Sequence, residues 1–163
     1  MGCGKSTVSK KLANLTGISV IDLDKKIEKR EKLTINEIFE QKGEVYFRKL
    51  EHTIFIELLE SPKTMIIALG GGTPCYANNH ELLNGENVLS IYLKASVETL
   101  VKRLFTNRSK RPLIANKTEE ELTEFIAKHL FDRSYYYNQA QYKVSIDNKT
   151  KDETAEDIFK ILT

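Results

Sequence analysis

Gly2-Cys3-Gly4-Lys5-Ser6-Thr7 places a lysine and two hydroxyls directly after glycines. Glycines let a backbone curl until its N–H groups face phosphate oxygens, and a helix beginning there adds the positive end of its dipole. In that setting Lys5 would reach the β- and γ-phosphates of a nucleotide, and the Ser6 hydroxyl would ligate Mg2+. Gly4, Lys5 and Ser6 fit the last three positions of the phosphate-loop pattern G-x-x-x-x-G-K-[ST]. The first glycine of that pattern would fall before Met1.

Four further groups can do chemistry. Asp22 and Asp24 alternate at the end of a strand-like run, so both carboxylates are expected on one face, suited to metal-bound water and to a hydroxyl. The plainer reading is a solvated turn with a helix cap. Arg48 and Glu51 are one helical turn apart in Gly43-Glu44-x-x-Phe47-Arg48-x-x-Glu51. Glu51 would orient Arg48 while the guanidinium grips a carboxylate in a fork; otherwise the two form a surface ion pair. Gly70, Gly71 and Gly72 follow a buried strand and permit close backbone approach to a ligand. Arg111, with Arg103, Arg108 and Lys110, belongs to a polar loop that would close over phosphate or simply be a basic solvated loop. Arg133 precedes Tyr137 by one turn and by itself says little.

These groups need elements to hold them. Val8, Leu12 and Leu15 make a helical stripe from Lys5, which Gly17 ends. Residues 18–23, 64–69, 87–93 and 142–146 read as strands. Thr34 and Glu37 form a capping box for a long helix, with Gly43 a break and Ser61-Pro62 a stop. Further helices are expected at about residues 78–84, 96–105, 118–131 and 152–162, with Ser96 and Thr118 at caps. Strands alternating with helices imply an α/β fold, three layers with a mostly parallel sheet. Ligands in such sheets sit at the carboxyl ends of the strands, which groups residues 1–7, 22–24 and 70–72 around one crevice.

Composition narrows the class. The chain has 163 residues, 40% hydrophobic and 29% charged, with a formal net charge of +2. That suits one globular domain and gives no field that would draw nucleic acid or an acidic membrane. The apolar run Met65–Leu69 is far short of the roughly 20 residues a membrane helix needs. No secretory pattern opens the chain, so the cytoplasm is the expected compartment, and a monomer is expected. Cys3 and Cys75 read as small filler residues, and His52, His80 and His129 as surface helix residues.

Taken in order, G-C-G-K-S-T, D-L-D, G-E-x-x-F-R-x-x-E, G-G-G-T-P, R-P-L and R-x-x-x-Y resemble shikimate kinase over essentially the whole chain. The resemblance implies a P-loop fold of the nucleoside-monophosphate-kinase kind, with a substrate-binding segment at about 24–60 and a closing lid at about 106–118. It implies transfer of the ATP γ-phosphoryl group to the 3-hydroxyl of shikimate, with Mg2+, on the route to chorismate and the aromatic amino acids. By resemblance, Gly2, Cys3, Gly4, Lys5, Ser6 and Thr7 hold the phosphates, and Ser6 and Asp22 serve the metal. Asp24 receives the substrate hydroxyls and positions the attacking one. Arg48 and Arg133 grip the carboxylate and Glu51 supports Arg48. Gly70, Gly71 and Gly72 line the substrate, and Phe39 and Phe47 wall its ring. Arg111 neutralises the moving phosphoryl group, and Arg103 matches an arginine that packs on adenine. The family pattern also has a buried strand and a glycine before the Gly2 loop, so Met1 is expected to be internal to that loop and a central first strand to be missing from this chain. The alternatives are a related small-metabolite kinase, such as one for gluconate, and a truncated inactive copy.

Overall fold

In a computed structural model, residues 2–106 and 112–163 are described. Arg108, Lys110 and Arg111 lie outside the described residues, and with them the expected phosphate-neutralising arginine. Helix α1 spans Lys5–Thr16. Its N-cap Gly4 has φ 88° and its C-cap Gly17 has φ 72°, backbone conformations that disfavour any side chain. Strand β1 (Val20–Asp22) runs directly into α2 (Leu23–Glu31), with the Asp22 side chain accepting from the Lys25 N–H as N-cap. Helix α3 (Ile35–Leu59) starts on the Thr34–Glu37 capping box and breaks at Gly43, whose φ 79° and ψ 169° are not helical.

Strand β2 (Ile66–Ala68) leads to the three glycines and a 3-10 turn at Thr73–Cys75. The helix expected near residue 78 is only a 3-10 turn, Glu81–Asn84. Strand β3 (Ile91–Lys94) is followed by α4 (Val97–Phe105), capped by Ser96. Helix α5 spans Glu119–Tyr137, a turn and a half beyond the expected end near Phe131. Its capping box at Thr118 and Glu121 was legible; its far end is apolar and aromatic, with no local stop signal until Asn138. Strand β4 (Tyr142–Ser145) and α6 (Lys151–Leu162) close the chain.

Among the described residues every strand pair is parallel, β1 with β2 and β3 with β4, in two two-stranded sheets, which fits the expected α/β fold with a mostly parallel sheet. Three apolar clusters hold the layers together. One joins α2 and α3 through Leu23, Ile27, Ile38, Ile54 and Phe55. A second joins α4 and α5 through Leu100, Leu104, Leu122 and Ile126, with Ile146. A third packs Val8 and Leu12 of α1 against Ala155 and Ile158 of α6 and Val144 of β4. A cavity of about 2260 Å³ opens between the two sheets. Both Ile66–Ala68 and residues 91–93 line it, as does the Gly2–Thr7 loop.

Candidate active site

The loop at Gly2–Thr7 is held open by two glycines with positive φ, Gly2 at 80° and Gly4 at 88°. The N–H groups of Thr7 and Val8 both donate to the Gly4 carbonyl, at 3.0 Å, which starts α1 at that point. A free helix start with curled glycines is an anion cradle. Lys5 Nζ lies 3.5 Å from the Ala68 carbonyl and 3.8 Å from Asp22. Ser6 Oγ donates to Asp22 Oδ2 at 3.3 Å. A lysine, a hydroxyl and a carboxylate thus converge where β1 and β2 end.

Asp24 departs from the strand reading. It stands in the first turn of α2, because β1 stops at Asp22. The fold still brings it to the site, since its Oδ1 is 3.2 Å from where a Cβ on Gly70 would lie. Burial pushes its carboxyl above the ordinary carboxylate range; Lys5 opposes this, and Asp22 adds to it.

Across the glycine loop lies a second charged group. Arg48 Nη1 donates to Glu51 Oε2 at 2.8 Å, and its Nε reaches Glu44 at 3.4 Å. Glu51 is 1% exposed. The Arg48 guanidinium stacks 3.9 Å from the Tyr76 ring centre and 5.0 Å from that of Phe47. Phe39 and Phe47 pack with ring centres 4.6 Å apart. Gly72 leaves room for the guanidinium, because a Cβ there would sit 2.9 Å from both terminal nitrogens of Arg48 and push it aside. The expected pairing of Arg48 with Glu51 is present, and it is buried rather than solvated.

Arg133 reaches the site from α5. Arg133 and Arg48 both lower the Cys75 thiol pKa against the burial that raises it, so one thiol feels both cations. Arg133, Asp22, Asp24, Gly70 and Gly71 line the same cavity as the Gly2–Thr7 loop. Arg48 instead lines a smaller hollow of about 600 Å³ with Glu44, His52 and Tyr76. Arg103 lines the large cavity and donates to three carbonyls, Cys3 at 3.4 Å and Ile146 and Lys149 at 3.3 Å. Its guanidinium therefore ties the entry of the phosphate loop to the turn before α6.

Sequence reasoning missed four contributors. Tyr76 stacks on Arg48, Thr73 donates to Glu51, and Asn79 and His52 pair with Oδ1 2.6 Å from Nδ1. His52 is thus half-buried and bonded, not a bare surface residue. The T-P after the glycines was the one available signal. Cys3 packs against the α4–α5 cluster, as a filler residue would.

A family model for shikimate kinase matches residues 1–163. The chain is 64% identical over 162 residues to the shikimate kinase of Flavobacterium johnsoniae, covering 99% of this chain and 94% of that protein. It is 49% identical over 162 residues to the shikimate kinase of Flavobacterium psychrophilum, with the same two coverages. The crystal structure of shikimate kinase from Bacteroides thetaiotaomicron superimposes with a TM-score of 0.87 at 32% identity, covering 99% of this chain and 93% of that one. The shikimate kinase of Acinetobacter baumannii, solved in complex with shikimate, gives 0.85 at 32% identity, over 99% and 88%.

Proposed function

The chain belongs to the shikimate kinase family, and we propose that the residues gathered at this cavity carry out the transfer of the ATP γ-phosphoryl group to the 3-hydroxyl of shikimate. The observation that supports these roles is the convergence of the phosphate loop, both aspartates, Gly70, Gly71 and Arg133 on one cavity.

The nucleotide phosphates lie on the N–H groups of residues 2–7, with Lys5 moving from Asp22 toward the β- and γ-oxygens. Ser6 and Asp22 offer hard oxygen donors side by side. That combination fits Mg2+, which takes few protein ligands and completes its shell with water and phosphate. When bound, Mg2+ would neutralise developing charge on the phosphate oxygens.

The shikimate carboxylate sits between Arg48 and Arg133, its ring against Phe39 and Phe47, its hydroxyls toward Asp24 and Gly70–Gly72. The attacking hydroxyl oxygen bonds to the γ-phosphorus as the bond to the β,γ-bridging oxygen breaks. Its proton passes to the Asp24 carboxylate, and ADP leaves with the electron pair. Arg103 braces the nucleotide end, and Arg111, outside the described residues, serves the transferring phosphoryl group.

A coupled ADP-release assay tests this. Turnover should require ATP, Mg2+ and shikimate together. Equal turnover of gluconate, or none of shikimate, would overturn the reading.

Two substitutions test single roles. Gly72→Ala should drive the Arg48 guanidinium off its place and raise KM for shikimate, leaving KM for ATP unchanged. A normal shikimate KM would show that Arg48 does not act from that position. Asp24→Asn should abolish most of kcat. It should also stabilise the metal-free chain, by the following sign. The Asp24 pKa is raised on folding, so its ionised form costs stability above the unfolded pKa, and that cost disappears below it. The gain in Tm should therefore be present at neutral pH and shrink to nothing as pH falls below the ordinary carboxylate range. A gain that does not change with pH would contradict it.

A further inference from the structure

The glycine loop is fastened on two sides, once to each helix that carries an arginine of the carboxylate clamp. On the α5 side, the Tyr137 hydroxyl donates to the Gly71 carbonyl at 2.6 Å. The Tyr137 ring packs against Tyr92 of β3, with centres 5.0 Å apart. Arg133 lies one turn earlier on the same helix, and its positive charge opposes the burial that pushes the Tyr137 phenol up. On the α3 side, Thr73 is 0% exposed and donates its hydroxyl to Glu51 Oε1 at 2.7 Å. The other oxygen of Glu51 holds Arg48 at 2.8 Å.

The buried turn is closed behind Thr73. Asn79 donates from Nδ2 to the Thr73 carbonyl at 2.9 Å, which aims its Oδ1 at His52 Nδ1. Nδ1 must then carry the hydrogen in that contact. The hydroxyl, carbonyl and N–H of Thr73 are thus each bonded within the protein, the last to the Gly70 carbonyl at 3.1 Å.

We propose that Tyr137 and Thr73 are positioning residues that set the placement of Arg133 relative to Arg48 through the Gly71–Thr73 segment, so that the two guanidinium groups fit one ring carboxylate. The inference rests on the clamp reading above. Neither residue touches the carboxylate; both act through groups that do. The physical requirement is strict, because forked Arg–carboxylate bonds lose strength with small errors in direction.

The test is steady-state kinetics of the full chain and of Tyr137→Phe, Thr73→Val and Thr73→Ser. Shikimate and ATP are varied separately, and the cyclohexene triol lacking the carboxylate serves as a second acceptor. Tyr137→Phe and Thr73→Val should each raise KM for shikimate about three- to tenfold, the worth of one internal hydrogen bond, with KM for ATP unchanged. Thr73→Ser, which keeps the hydroxyl, should restore the parent value. On the acceptor without a carboxylate, parent and variants should be alike.

A shikimate KM within about twofold of the parent in either variant overturns the proposal, as does an equal rise in KM for ATP or equal impairment on the triol. Should Thr73→Val fail to fold, Tyr137→Phe decides, since it keeps the ring and its packing. Arg48→Ala in the same series separates the two levels. If Arg48→Ala has a normal shikimate KM, the clamp itself fails; if only the two positioning variants are normal, the clamp stands and this inference falls.

Discussion

Lys5→Ala is expected to fold and to lower kcat by about 10²–10³, the usual cost of removing one preorganised group from a developing negative charge. The ammonium is shared between Asp22, at 3.8 Å, and the Ala68 carbonyl, at 3.5 Å. Both contacts are long, and the side chain is 27% exposed, so little stability hangs on it. Charge that is loosely held at rest is free to follow the phosphoryl group. The loss should appear in kcat more than in KM for ATP, because the backbone N–H groups of the loop still bind the phosphates. Lys5→Arg should not rescue it, since a planar fork replaces a compact point charge. ADP release under saturating substrates and a thermal melt measure the two parts. A loss of less than about tenfold, or a collapse of Tm, would remove Lys5 from the transfer step.

Arg48→Ala acts on the other substrate. It should raise KM for shikimate about 10- to 100-fold, the worth of a charge-assisted hydrogen bond. Among the described residues it also leaves Glu51, 1% exposed, with the Thr73 hydroxyl as its hydrogen-bond partner. Breaking a buried pair by removing one partner costs about 3–5 kcal/mol, so Tm should fall visibly. The two effects separate in Arg48→Lys, which keeps a charge beside Glu51 but loses the fork, and should regain stability more fully than affinity. Kinetics below the melting range, with KM for ATP as the internal control, checks both. A folded Arg48→Ala chain with a normal shikimate KM would end the clamp assignment.

Features built over a few residues were legible in advance. The capping boxes at Thr34 and Thr118, the Ser96 cap, the Gly43 break and the Gly17 stop each depend on groups within about four positions of one another. The Arg48–Glu51 pair is likewise a one-turn contact. Asp24 was placed on a strand because alternation alone carries no mark of where β1 ends; the Asp22 cap ends it. The full length of α5 also escaped, since aromatic packing is a property of distant segments.

The sequence by itself determined the chemistry. The glycines, Lys5, Ser6, the two aspartates and the arginines are of types that hold phosphate, metal and carboxylate, and their order along the chain marked the family resemblance. Only the tertiary structure decided how that chemistry is held. Tyr137 meets Gly71 across 66 positions, Thr73 meets Glu51 across 22, and Arg103 meets Cys3 across 100. Such contacts leave no periodic trace in a sequence, because they are made by the packing of whole helices and not by the spacing of neighbours.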